Sequence, residues 1–157
     1  MDRYPKEKAP RDTALEPAPA RVVPLRPNFS GKYVLDRHAS KLEGGSASIR
    51  GARLNIDHYE PMIRIDAKFE FFDKTFAWSM QRASDGREKV DPSDPRNVVS
   101  LRWDNDGLLF TQRTTGKDEV TTTWRYELTD GGQLLRASEQ IRGGGRDQNN
   151  VWVFDRN

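Results

Sequence analysis

The chain of 157 residues holds two histidines, His38 and His58, and no cysteine. Neither histidine has a second imidazole or a carboxylate set beside it at metal-ligand spacing. The absence of cysteine excludes disulfides, thiolate metal sites and a cysteine nucleophile. His58, beside Glu60-Pro61, reads as a strand-end residue that shapes a turn. Asp104-Asn105-Asp106-Gly107 has the front of a calcium loop, but Thr115 stands where the bidentate glutamate belongs, so the segment reads as a turn. No GxSxG, phosphate-binding loop or dinucleotide fingerprint occurs, and Gly143-Gly144-Gly145 reads as a loose hairpin tip. No nucleophile, acid and base can be assembled into one set. The expectation is therefore no catalysis, no metal and no cofactor.

What remains is binding chemistry. Phe69, Phe71, Trp78, Trp103, Phe110, Trp124 and Tyr126 are many large rings for a small core. With Thr122 on the same face as Trp124 and Tyr126, they are the candidate lining of a pocket for a small hydrophobic molecule, because mixed aromatic and hydroxyl walls suit such ligands. Arginine outnumbers lysine, eighteen to eight. Arg64, Arg82, Arg102, Arg113, Arg125, Arg136 and Arg142 fall in or beside predicted strands. Most are expected on the outer face, paired across strands with Asp66, Glu70, Glu119, Glu127 and Glu139. A single arginine turned inward would hold a ligand anion.

These residues sit in segments whose period is two. In residues 61–71, Ile63, Ile65, Ala67, Phe69 and Phe71 alternate with Arg64, Asp66, Lys68 and Glu70. In residues 119–128, Val120, Thr122, Trp124, Tyr126 and Leu128 share one face. Further strands are predicted over 29–36, 52–59, 74–80, 97–103, 107–114, 133–141 and 150–155. Asn105-Asp106-Gly107 and Asp130-Gly131-Gly132 supply hairpin turns, since Asn, Asp and Gly tolerate positive φ. A short helix is expected over 37–43, capped by Asp36, and the longest irregular stretch over 83–96. The fold class that follows is all-β, an antiparallel up-and-down barrel of about 8–10 strands with one short helix after the first strand. Closure into a barrel would remove the exposed edges.

Residues 1–27 carry six of the nine prolines and a net charge of +2. Residues 28–157 are neutral overall, so the pI near 9.0 comes from the tail and gives no reason to expect a nucleic-acid partner. The expected organisation is a proline-rich, disordered or partner-ordered tail over 1–27 and a barrel over 28–157. Pro24, Arg26 and Pro27 have the spacing of a proline-groove ligand, through which the tail would dock on a larger complex. No apolar run is long enough to span a membrane. No secretory signal opens the sequence, so the default expectation is cytoplasmic.

At Asn28 the segment NFSGKYVLD resembles the opening of calycin barrels, where a glycine followed two residues later by an aromatic starts the first strand. Here the pair is Gly31 and Tyr33, with tyrosine in place of the usual tryptophan. The segments LNIDHYEPMIRI at 54–65, LRWDNDGLLF at 101–110, TTTWRYELTDGGQLL at 121–135 and VWVFDRN at 151–157 resemble, in order and spacing, a group of bacterial lipocalin-like proteins. The resemblance implies a lipocalin-like barrel over 28–157. It also implies structural closure by Gly31, Tyr33 and Arg156, with the Arg156 guanidinium stacked on Tyr33. The Arg-x-Tyr pair with which fatty-acid-binding proteins hold a carboxylate is absent from the closing segment, and the export signal common in the bacterial group is absent from this start. The functional expectation is a non-catalytic barrel binding a small apolar or amphipathic ligand. The alternative is an accessory subunit docked through its outer surface and its tail.

Overall fold

Alternating side chains give each strand one apolar face, and ten such strands curl that face inward. In a computed structural model, which describes residues 26–157, the strands are β1 (Gly31–Leu35), β2 (Gly51–Tyr59), β3 (Met62–Glu70), β4 (Thr75–Ala83), β5 (Lys89–Asp91), β6 (Asp94–Asp104), β7 (Gly107–Thr114), β8 (Val120–Thr129), β9 (Leu134–Gly143) and β10 (Gln148–Arg156). They form one antiparallel sheet in the order β4-β3-β2-β1-β10-β9-β8-β7-β6-β5. The first strand pairs with both the second and the last, Tyr33 lying opposite Leu54 on one side and Arg156 on the other. That double pairing joins the two ends of the meander into one sheet, which curls into an up-and-down barrel. Pro24 of the predicted docking motif lies outside the described residues.

The inward face carries the core. Tyr33, Leu54, Ile56, Ile63, Ile65, Leu101, Leu108, Leu135, Ala137, Trp152 and Phe154 are buried. The outward face carries the ion pairs Arg64–Asp66, Lys68–Glu70 and Arg125–Glu127, whose exposure limits each to a small contribution.

Three features depart from the sequence expectation. The helical turn after β1 is a 3-10 turn at Gly44–Ser48, not a helix over 37–43. Asp36 Oδ1 accepts the backbone N–H groups of His38 and Ala39, which makes a side-chain-closed turn there. Lys41 then bridges to Val151, and that pairing draws the segment towards the sheet instead of into a helix. The stretch 83–96 is not wholly irregular, because β5 pairs with β6 through Lys89–Val99 and Val90–Val98. Nor do backbone ladders close the barrel. The sheet edges are β4 and β5, and Pro92 and Pro95 beside the β5 edge lack the N–H a ladder needs. A single backbone bond crosses there, from Gly86 N–H to the carbonyl of Leu101.

Candidate functional site

One end of the barrel is held by side chains. His58 at the end of β2 is buried, and its Nδ1 accepts the backbone N–H of Phe29 at 3.1 Å. That bond places the ring proton on Nε2, which donates to Glu60 Oε2 at 2.8 Å. Glu60 Oε1 also accepts from Trp103 Nε1 on β6 at 2.8 Å and from Ser84 after β4 at 2.9 Å. Burial alone would raise the Glu60 carboxyl, but the hydrogen bonds from Trp103, His58 and Ser84 outweigh it and lower it. The rings of Phe29, His58 and Trp103 pack with centroids 5.8–6.0 Å apart. This cluster ties β2, β4 and β6 together across the unpaired edges.

Gly31, Tyr33 and Arg156 lie at the same end. The Tyr33 hydroxyl donates to the carbonyl of Phe29 at 2.7 Å, and the Arg156 guanidinium lies 5.7 Å from the centre of the Tyr33 ring. Arg156 also donates to the carbonyls of Gly132 and Ser30. Gly31 has φ +153, and a Cβ there would lie 3.0 Å from Arg156 Nε, so the glycine makes room for the guanidinium. The exposed Arg26 guanidinium sits 4.8 Å from the centre of the Trp103 ring, and Pro27 is half-buried.

Halfway along the barrel, rings cross the lumen in unbroken contact. Trp78 of β4 stacks on Phe69 of β3 at 6.3 Å, and Phe69 meets Trp152 of β10 edge-on at 5.4 Å. Trp152 contacts Trp124 of β8 at 6.1 Å, and Trp124 stacks on Tyr126 at 5.9 Å. The layer leaves two cavities. The first, of about 300 Å³, lies under the unpaired edges and is lined by Trp78, Met80, Val99, Phe110, Trp124 and Tyr126 with the polar groups of Ser79, Arg82, Asp91 and Gln112. The second, of about 490 Å³, opens at the end that carries the 3-10 turn, where Phe71, Phe76 and Ile141 make its apolar wall.

Of the predicted lining residues, Trp78, Phe110, Trp124 and Tyr126 thus share the first cavity. Phe71 lines the second, and Phe69 is buried in the ring layer between them. Thr122 faces Gln112 across the β7–β8 ladder. Trp103 is in neither cavity; it belongs to the end cluster with His58.

Polar residues on the inward face escaped the sequence reading. Arg82 sits in the first cavity. Its Nη1 donates to the carbonyl of Gln81, while its Nε is buried without a hydrogen-bond partner among the described residues. Glu139, expected outside, is buried on the inner face of β9, because it falls in register with Trp124 on the Ala137–Ile141 face. Its Oε1 accepts from Asn150 Nδ2 at 2.8 Å and Trp152 Nε1 at 3.2 Å. Burial raises the Glu139 carboxyl above the usual range, against the opposing effect of those bonds and of Arg146. Among the described residues no group of three or more His, Cys, Asp or Glu side chains is placed to hold a metal ion.

The strand order and the double pairing of β1 define an antiparallel up-and-down barrel with a ring-lined lumen, and solved structures share that fold. The REP1-NXSQ fatty acid transporter aligns with TM-score 0.53 and 11% identity over 82% of this chain and 96% of its own. Apo lipid binding protein 8 of Caenorhabditis elegans aligns with TM-score 0.56 and 12% identity over 82% and 95%. The Schistosoma mansoni fatty acid binding protein in complex with arachidonic acid aligns with TM-score 0.52 and 12% identity over 82% and 96%. At these identities the likeness is one of fold. No protein-family model matches the sequence, and no curated protein matches it.

Proposed function

We propose that this barrel is a non-catalytic binding protein that carries one small apolar or amphipathic molecule in its lumen. The observation that supports this most is the first cavity. Its ~300 Å³ lies within the roughly 300–1,000 Å³ of small-ligand sites, and its wall is chiefly aromatic with a few polar groups, as such sites are built. Trp78, Phe110, Trp124 and Tyr126 grip the apolar part. Arg82, with an unsatisfied N–H at the cavity, meets the polar end, since a buried donor without a partner costs about 1–3 kcal/mol that a ligand acceptor recovers. The fold relatives named above include proteins described as fatty-acid or lipid binders, which fits this reading. The segments at 54–65, 101–110, 121–135 and 151–157 further support placement in the bacterial lipocalin-like group.

A second reading makes the barrel an accessory subunit docked through its surface and the proline-rich tail. It is favoured by Arg26, which leads out of that tail against Trp103, beside the strand that ends in the exposed Tyr59. Native mass spectrometry of the protein from its own host separates the two. One small molecule bound per chain supports the lumen reading; a stoichiometric protein partner that is lost on deleting residues 1–26 supports the accessory reading. A bare chain with neither contradicts both.

A further inference from the structure

The second cavity differs from the first in the buried polar group that lines it. Its one buried ionisable group is Glu139, 9% exposed, fixed by Asn150 and Trp152 through Oε1 alone. Oε2 has no hydrogen-bond partner among the described residues, and the residue lines the cavity. Asn150 is itself held, because its Oδ1 accepts the backbone N–H of Glu43 at 2.7 Å. Glu43 Oε1 in turn accepts the N–H of Asn149 at 2.9 Å. The carboxyl is therefore oriented by a network spanning β9, β10 and the segment before the 3-10 turn, with one oxygen left for a visitor.

The wall opposite is aromatic, Phe71 and Phe76 meeting edge to face at 5.8 Å. It already carries an ammonium, since Lys74 Nζ lies 5.1 Å from the centre of the Phe76 ring. Ring faces attract cations and a carboxylate pairs with them. Asp73, Lys74 and Arg146 also line this cavity, all three exposed, and Arg146 acts on Glu139 through space rather than through a hydrogen bond. Water weakens these rim charges, whereas Glu139 acts from the buried wall.

We propose that the second cavity is a binding site for amphiphiles with a primary ammonium head, the head paired with Glu139 Oε2 and the tail against Phe71, Phe76 and Ile141. A carboxylate head is disfavoured there by Glu139. The site is distinct from the first cavity, so it stands or falls apart from the reading given for Trp124 and Arg82.

The test compares n-octylamine with n-octanol, which has the same tail and no charge, by isothermal titration calorimetry on the full chain, the wild type against Glu139→Gln. The amine binds the wild type about tenfold or more tightly than the alcohol, the size of one charge-assisted hydrogen bond, and Glu139→Gln removes that preference. Equal binding of amine and alcohol, or a preference that survives Glu139→Gln, overturns the proposal, whatever happens to an apolar probe in the first cavity. Should Glu139→Gln not fold, the ¹³C resonance of the wild-type Glu139 carboxyl decides. Followed across pH, its titration midpoint falls with octylamine and not with octanol; a midpoint indifferent to octylamine overturns the proposal.

Discussion

Replacing Trp152 by alanine tests whether the ring layer is a packed wall. Trp152 is 3% exposed, and it faces Ala137, which is fully buried and too small to close a gap. The change removes ring contacts to Phe69 and Trp124 and the N–H that Glu139 accepts. A fully buried Trp→Ala change costs about 3–5 kcal/mol through lost transfer energy and the cavity left behind. For a chain of this size each kcal/mol lowers the melting temperature by roughly 2–4 °C, so the expected loss is roughly 6–20 °C. Trp124→Ala, in the same layer, behaves differently. Trp124 is half-buried and one side already faces the first cavity, so its removal enlarges an existing space and costs less than about 3 kcal/mol. Thermal unfolding followed by far-ultraviolet circular dichroism compares the two. Equal losses, or a larger loss for Trp124→Ala, would refute the division of the layer into a packed half and a cavity-facing half.

Other outcomes follow from single contacts. Tyr33→Phe leaves the buried carbonyl of Phe29 without its donor, and chemical denaturation should show a loss of about 1–3 kcal/mol; an unchanged midpoint contradicts the end cluster as drawn. Burial raises the Glu139 carboxyl above its unfolded value, so its contribution to stability is complete below the ordinary glutamate pKa of ~4.3 and is lost as pH rises through the folded value. Urea titrations from acid to neutral pH should show that Glu139→Gln removes this decline, and an identical pH profile in wild type and variant would contradict it. Gly143→Ala should lower the melting temperature, because φ is +104 there and a Cβ would clash with the carbonyl oxygen of Glu119; an unaffected melt would contradict this. Deleting residues 1–26 removes little apolar area and should shift the melt by no more than the cation–π contact of Arg26, about 0.5–1 kcal/mol. A larger loss would mean the tail packs on the barrel.

The strands were legible wherever one face is apolar and the other charged, as in Ile63-Arg64-Ile65-Asp66 and in 119–128. β5 was not legible, since Lys89, Val90 and Asp91 offer no apolar face and two prolines follow. The helix expected over 37–43 rested on Asp36 as a cap, and Asp36 does bind the N–H groups after it, but Lys41 finds a strand partner that no local pattern reveals. Alternation also assigns a face without assigning a height. Trp103 shares the inward face with Leu101, yet it stands at the barrel end, sequence-distant from the His58 and Glu60 that claim it. The polar residues on the inward face did leave a signal. Arg82, Gln112, Glu139 and Asn150 each interrupt an apolar series, after Met80, after Phe110, between Ala137 and Ile141, and before Trp152. A polar group at an inward position of a strand is costly unless it has a partner or a ligand, and that rule applied along each strand picks out these four.

If the lumen holds a small ligand against Trp78 and Trp124, titration of an apolar fluorophore into the wild type and into Trp124→Ala reports it. Saturable binding at one site per barrel is expected in the wild type. Affinity should be micromolar or better, since burial of apolar area contributes roughly 25 cal/mol per Å² before the costs of association. Trp124→Ala should weaken that binding more than it weakens folding. No saturable binding to the wild type, together with a large loss of stability in Trp124→Ala, would contradict the claim and leave a barrel whose rings serve only its core.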